Sequence, residues 1–126
     1  MSASTDGAVV EDFKDVAARL GRLPVAARKL LCVIVNQAYH GALRYKEAGV
    51  ATMPEVHEAC GLDVDGMYAA LRVLREAGSI ELTGQYPFEE IRLTHHDERA
   101  IFKRCEAAKI ALQDVIVELR FDLLKT

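Results

Sequence analysis

The side chains best suited to metal chemistry are few in this chain, and their spacing does not favour a metal site. His57 and Cys60 are three residues apart, and His95 and His96 are adjacent. Structural and catalytic zinc sites take three or four ligands from defined spacings. The sequence contains neither a C-x-x-C pair nor an H-x-x-x-H pair. We therefore expect no metal ion and no other bound cofactor.

Catalytic patterns are likewise missing from the sequence. It has no G-x-S-x-G nucleophile turn and no phosphate-binding P-loop. Glu89 and Glu90 are neighbours in sequence, which is a poor arrangement for an acid–base pair. The three cysteines, Cys32, Cys60 and Cys105, are far apart and are predicted to be reduced thiols. We expect a cytoplasmic protein that is not an enzyme, with no signal peptide and no membrane-spanning segment.

Charge is distributed unevenly along the 126 residues, although the net charge is only −3. Residues 20–54 hold five basic side chains and one acidic side chain. Residues 55–90 hold two basic and eight acidic side chains. Such asymmetry bears on the choice of partner, because a positive surface attracts nucleic acid and a negative one repels it.

The elements that must position any site are mainly helical. Apolar residues at helical spacing predict helices over 8–20 and 24–40. Thr52 and Glu55 form a T-x-x-E capping box, which predicts a short helix over 53–60 that ends at Gly61. Asp63 is placed to cap a second helix over 64–77. The two short helices would thus be joined by a tight turn that contains glycine.

A β-hairpin is predicted after these helices, from alternating apolar residues in 79–83 and 90–94. Residues 41–51 are ambiguous, being compatible with a loop, a helical turn or a short strand. Residues 97–125 lack glycine and proline and predict one long helix. The expected fold is a single mainly α domain over 1–126 with a small β-hairpin.

The segment 52–94 resembles the winged helix-turn-helix of bacterial and archaeal transcriptional regulators. The matching positions follow its T-x-x-E, G-hydrophobic and L-x-x-x-G-hydrophobic-I pattern, and they are Thr52, Glu55, Val56, Gly61, Leu62, Leu71, Leu74, Gly78 and Ile80. With the preceding helix, the resemblance covers 24–94. The flanking helices make the chain similar to small MarR-like or PadR-like dimeric regulators.

This resemblance implies that the helix over 64–77 enters the major groove of duplex DNA. The residues at the family's reading positions are Gly66, Tyr68, Ala69 and Arg72, with Val73 or Arg75 at the margin. Three further basic residues are expected to meet the DNA backbone, and these are Arg44, Lys46 and Arg92. Asp63 and Asp65 lie beside the same helix, where carboxylates oppose phosphate binding.

Assembly is predicted from residues 97–125, where apolar residues recur at spacings of four and three. Such a seam is typical of a helix that pairs with a second copy, and its members are Ile101, Cys105, Ala108, Leu112, Val115 and Leu119.

The sequence leaves two functions open. One is a homodimeric DNA-binding transcriptional regulator, and the other is a winged-helix adaptor whose acidic face binds a basic protein partner.

Overall fold

The computed structural model describes residues 13–40, 49–85 and 89–124, without the side chains of His95, His96, Ala108 and Asp122. The described chain is mainly helical and includes one small antiparallel sheet. It divides into two compact units. One comprises residues 23–94, and the other joins residues 1–22 to residues 95–126.

The unit over 23–94 is built around a buried helix, α2 (Val25–His40). It packs against the strand β1 (Val50–Thr52), the helices α3 (Met53–Cys60) and α4 (Val64–Glu76), and the strand β3 (Glu90–Leu93). Its inward side chains are almost entirely removed from solvent, and they are Ala27, Leu30, Leu31, Cys32, Ile34, Val35 and Ala38. The helix predicted over 24–40 is confirmed, and it begins at Val25.

The predicted link between the two short helices is also confirmed. It is held by hydrogen bonds between residues that are close in sequence. The Glu55 carboxylate accepts hydrogen bonds from the Thr52 amide and hydroxyl, at 3.2 and 3.0 Å. Gly61 ends α3 with φ at 71°, a left-handed conformation that costs glycine little. Asp63 then caps α4, and its carboxylate accepts a hydrogen bond from the Gly66 amide at 2.7 Å.

The hairpin belongs to a three-stranded antiparallel sheet with the order β1-β3-β2, where β2 is Ile80–Thr83. In the predicted hairpin, Ile80 lies opposite Leu93 and Thr83 opposite Glu90. The ambiguous segment before α3 supplies the third strand, in which Thr52 also lies opposite Glu90. The central strand β3 is therefore paired on both sides.

The other unit consists, within its described residues, of three helices: α1 (Phe13–Gly21), α5 (His95–Ala108) and α6 (Leu112–Leu124). The Arg19 guanidinium donates to the Asp97 carboxylate at 2.6 Å and joins α1 to the first turn of α5. Arg104 pairs with Glu118 through two contacts of 3.2 Å and joins α5 to α6. The predicted residues 8–12 of the first helix lie outside the described part of the chain.

The prediction of one long helix over 97–125 is wrong. The chain leaves the helix at Lys109, whose φ is 54°, and the Ile110 amide donates to the Cys105 carbonyl at 3.2 Å. This hydrogen bond is typical of a Schellman helix end. In that motif glycine usually occupies the left-handed position that Lys109 takes here. The break allows α6 to pack against both α5 and α1, and that burial favours two short helices over one.

This packing buries half of the six residues of the predicted dimer seam within the chain itself. Ile101, Val115 and Leu119 are buried within the chain itself, whereas Cys105 and Leu112 are half-buried. The side chain of Ala108 lies outside the description. A different stripe on α6 faces solvent, with Val117 at 40%, Phe121 at 70% and Leu124 at 50% exposure.

The arrangement of two helices predicts different losses of stability for substitutions at two residues of α6. Leu119→Ala should lower the free energy of unfolding by about 2–5 kcal/mol, because it opens a cavity in the three-helix unit. In a sample dilute enough to be monomeric, Phe121→Ala should change it by less than about 0.5 kcal/mol, since most of that ring is exposed within a single chain. Urea denaturation followed by circular dichroism measures both. Equal losses would contradict the two-helix arrangement.

Candidate nucleic-acid interface

Helix α4 presents Ala69 and Arg72 to solvent while Met67, Ala70, Leu71 and Leu74 hold it against the core of its unit. Ala69 and Arg72 are three residues apart, so they lie on the same side of the helix. Arg75 is exposed one turn further on. An arginine on such a surface can donate two parallel hydrogen bonds to the edge of guanine or to a phosphate.

The beginning of α4 is acidic, and its capping position is already filled. The Asp63 carboxylate binds the Gly66 amide, so it occupies part of the site that a phosphate would take at a helix N-terminus. Asp65 is exposed in the first turn. A Cβ atom at Gly66 would lie 2.8 Å from Asp63 Oδ1, which gives Gly66 a structural role in the cap.

Tyr68, a predicted reading residue, is half-buried and engaged with the sheet. Its hydroxyl donates to Glu89 Oε2 at 2.7 Å, across a sequence separation of 21 residues. In the sequence, Glu89 stands out only as an acidic neighbour of Glu90. No short-range pattern links Glu89 to Tyr68, and the contact becomes visible only when α4 is placed against the sheet.

The hairpin offers a mixed surface. Arg92 is half-buried on β3 opposite Glu81 of β2, and Glu81 and Glu90 are exposed. Cross-strand pairs of opposite charge stabilise a sheet, so Arg92 lies in a position that serves the hairpin itself. Arg44 and Lys46, predicted to meet phosphates, lie outside the described residues. The structure thus brings Ala69, Arg72 and Arg75 together on α4.

Within the described ranges, no three side chains of histidine, cysteine, aspartate or glutamate come together in a way that could hold a metal ion. Burial raises the pKa of the Cys105 thiol, and a hydrogen bond to the backbone only partly offsets this effect. A raised pKa keeps the thiol neutral, which is opposite to the condition of a reactive sensor cysteine. None of the helices in the described segments is both long and apolar enough to cross a bilayer.

Comparison with known proteins adds no relative. No protein-family model, curated protein or solved structure matches the chain. Its function is therefore inferred from its own residues.

The two roles of Asp63, helix cap and negative charge, can be separated by substitution. Asp63→Ala should lower the free energy of unfolding by about 1 kcal/mol, because the Gly66 amide loses its acceptor. Asp63→Ser should remain within about 0.5 kcal/mol of the wild type, since serine is also a good cap. Thermal unfolding of both variants measures the difference. Equal stability of the two variants would show that the cap contributes nothing.

Proposed function

We propose that the chain is a winged helix-turn-helix protein that binds duplex DNA as a homodimer and acts as a transcriptional regulator. In this proposal, α4 enters the major groove and the β2–β3 hairpin lies along the DNA backbone. Arg72 reads a base, and Arg75 and Arg92 contribute positive charge at the margins. Arg44 and Lys46 supply the phosphate contacts expected from their place before α3.

The order of elements supports this proposal. A buried helix, a short strand, two helices joined by a turn containing glycine and a two-stranded hairpin follow one another in one compact unit. This order agrees with the resemblance noted over 24–94. The observation that carries the functional step is the exposure of Arg72 on the second helix of the pair, on the same side as Ala69.

The adaptor remains a second candidate because a specific feature favours it. Asp63 and Asp65 flank the start of α4, and Glu76 lies exposed at its end. The hairpin strands add exposed Glu81 and Glu90. Carboxylates at both ends of α4 and on the hairpin weaken attraction to phosphates and would suit a basic protein partner. If DNA binds, few phosphates are neutralised, and affinity should depend only weakly on salt.

A comparison of two substitutions distinguishes base reading from phosphate contact. Arg72→Ala should reduce the preference for a selected DNA fragment over random DNA by about tenfold or more, the scale of one bidentate arginine–guanine contact. Lys46→Ala should weaken binding to both DNAs equally and lower the salt slope by about one. Fluorescence anisotropy with a labelled genomic fragment library at low salt measures both effects.

Lys103→Ala serves as the matched control, because Lys103 is an exposed cation on α5 in the other unit. The affinity of the Lys103→Ala variant for the selected fragment should equal that of the wild type. Absence of binding by any fragment at micromolar protein would reject DNA binding. Binding that appears only after Asp63→Lys or Asp65→Lys would favour the adaptor.

The homodimer is the other part of the proposal, and it needs a surface other than the buried seam. The exposed residues Val117, Phe121 and Leu124 are the apolar side chains of α6 that remain open to a second copy. Phe121→Asp should shift the molecule from dimer to monomer without unfolding it. Val25→Asp makes the same kind of change at an exposed residue of the other unit, and this variant should remain a dimer. Light scattering at tens to hundreds of micromolar protein tests this, and a monomeric wild type would reject the dimer.

A further inference from the structure

Three elements of the unit over 23–94 meet at Glu89. Its backbone carbonyl accepts a hydrogen bond from the amide of Met53, the first residue of α3, at 3.1 Å. Its carboxylate accepts the Tyr68 hydroxyl of α4 at 2.7 Å. The next residue, Glu90, begins the central strand β3 and lies opposite both Thr52 and Thr83. One residue therefore touches both short helices at the end of the hairpin where Thr83 lies opposite Glu90, away from its base.

The contact between Tyr68 and Glu89 is chemically suited to fix a distance. A hydrogen bond from a neutral hydroxyl to a carboxylate is shorter and stronger than one between neutral groups. The tyrosine ring turns about only two side-chain bonds, so a held hydroxyl restrains the helix that carries it. Glu89 is itself half-buried, and its second oxygen, Oε1, is shielded from solvent and accepts no hydrogen bond from the described residues. This carboxylate has thus lost much of its hydration and depends on Tyr68 for compensation.

We propose that the Tyr68–Glu89 hydrogen bond sets the angle between α4 and the β2–β3 hairpin, and that Tyr68 is a positioning residue and not a contact to bases. The consequence for DNA rests on the proposed function, whereas the structural effect does not. A helix and a hairpin that engage one duplex must keep a fixed relation, since a displacement of about 1 Å can misalign a bidentate contact. Glu89 contributes to this geometry at the cost of a negative charge near the interface.

The structural effect is measured by residual dipolar couplings of backbone amides, which report the orientation of α4 relative to β2 and β3. Tyr68→Phe and Glu89→Ala should both change this orientation, because each removes one half of the hydrogen bond. Glu89→Gln should keep the orientation of the wild type, since the amide oxygen can accept the same hydroxyl. Glu90→Ala is the matched control, because it removes an exposed carboxylate next to Glu89 and leaves the contact intact. An orientation unchanged in both Tyr68→Phe and Glu89→Ala would overturn the proposal.

The DNA arm uses the same variants and the fragment selected with the wild type. Tyr68→Phe and Glu89→Ala should each weaken binding about tenfold, the scale of one hydrogen bond to a charged group. The double variant should be no weaker than either single variant, because both remove the same contact. The salt slope should stay at the wild-type value, since no phosphate contact is lost. Glu89→Gln should bind at least as well as the wild type.

The alternative is that Tyr68 touches DNA directly and Glu89 acts only through its charge. Glu89→Ala would then strengthen binding, Tyr68→Phe would weaken it, and the two effects would add. That result overturns the positioning role. A protein that binds no DNA fragment but shows the expected changes in orientation would reject the proposed function while supporting the restraint itself.

Discussion

Burial of α2 is the constraint on which the unit over 23–94 depends. This helix contacts β1, β3 and both helices of the turn, and seven of its side chains are shielded from solvent. Packing on its surface brings α3 and α4 beside the sheet, and the Tyr68–Glu89 hydrogen bond then joins α4 to the residue that precedes β3. A close-packed core of this kind transmits strain when a side-chain volume changes. A substitution in the buried face of α2 should therefore also displace the exposed face of α4.

Much of the fold was predictable because its signals are local. The contacts of Thr52 with Glu55 and of Asp63 with Gly66 join atoms within three residues, and a sequence pattern can specify them. The end of α5 at Lys109 carries no comparable signal, since lysine rarely adopts a positive φ. That break depends on what α6 gains by packing on α1 and α5. Strand β1 was ambiguous for a similar reason, because its partner β3 lies about forty residues further along the chain.

The candidate site was predictable to the same extent. The resemblance placed Ala69 and Arg72 at reading positions, and both are exposed on the same side of α4. It also placed Tyr68 there, although the Tyr68 hydroxyl is bound to Glu89. Contacts between distant residues are invisible to such patterns. The exposed carboxylates Asp65 and Glu76 on α4 bear on the proposed DNA binding, since binding with few phosphate contacts would rely on base contacts and shape for its affinity.

In the proposed function, α4 is the surface through which the protein binds its partner, and this partner is duplex DNA. Chemical-shift mapping of the ¹⁵N-labelled protein, titrated with its selected DNA fragment and separately with a lysine-rich peptide, tests it most directly. We expect the DNA to shift the amides around Ala69 and Arg72 and those of the hairpin, with smaller effects from the peptide. Shifts at α4 caused by the peptide alone, or DNA-induced shifts confined to α1, α5 and α6, would contradict the claim.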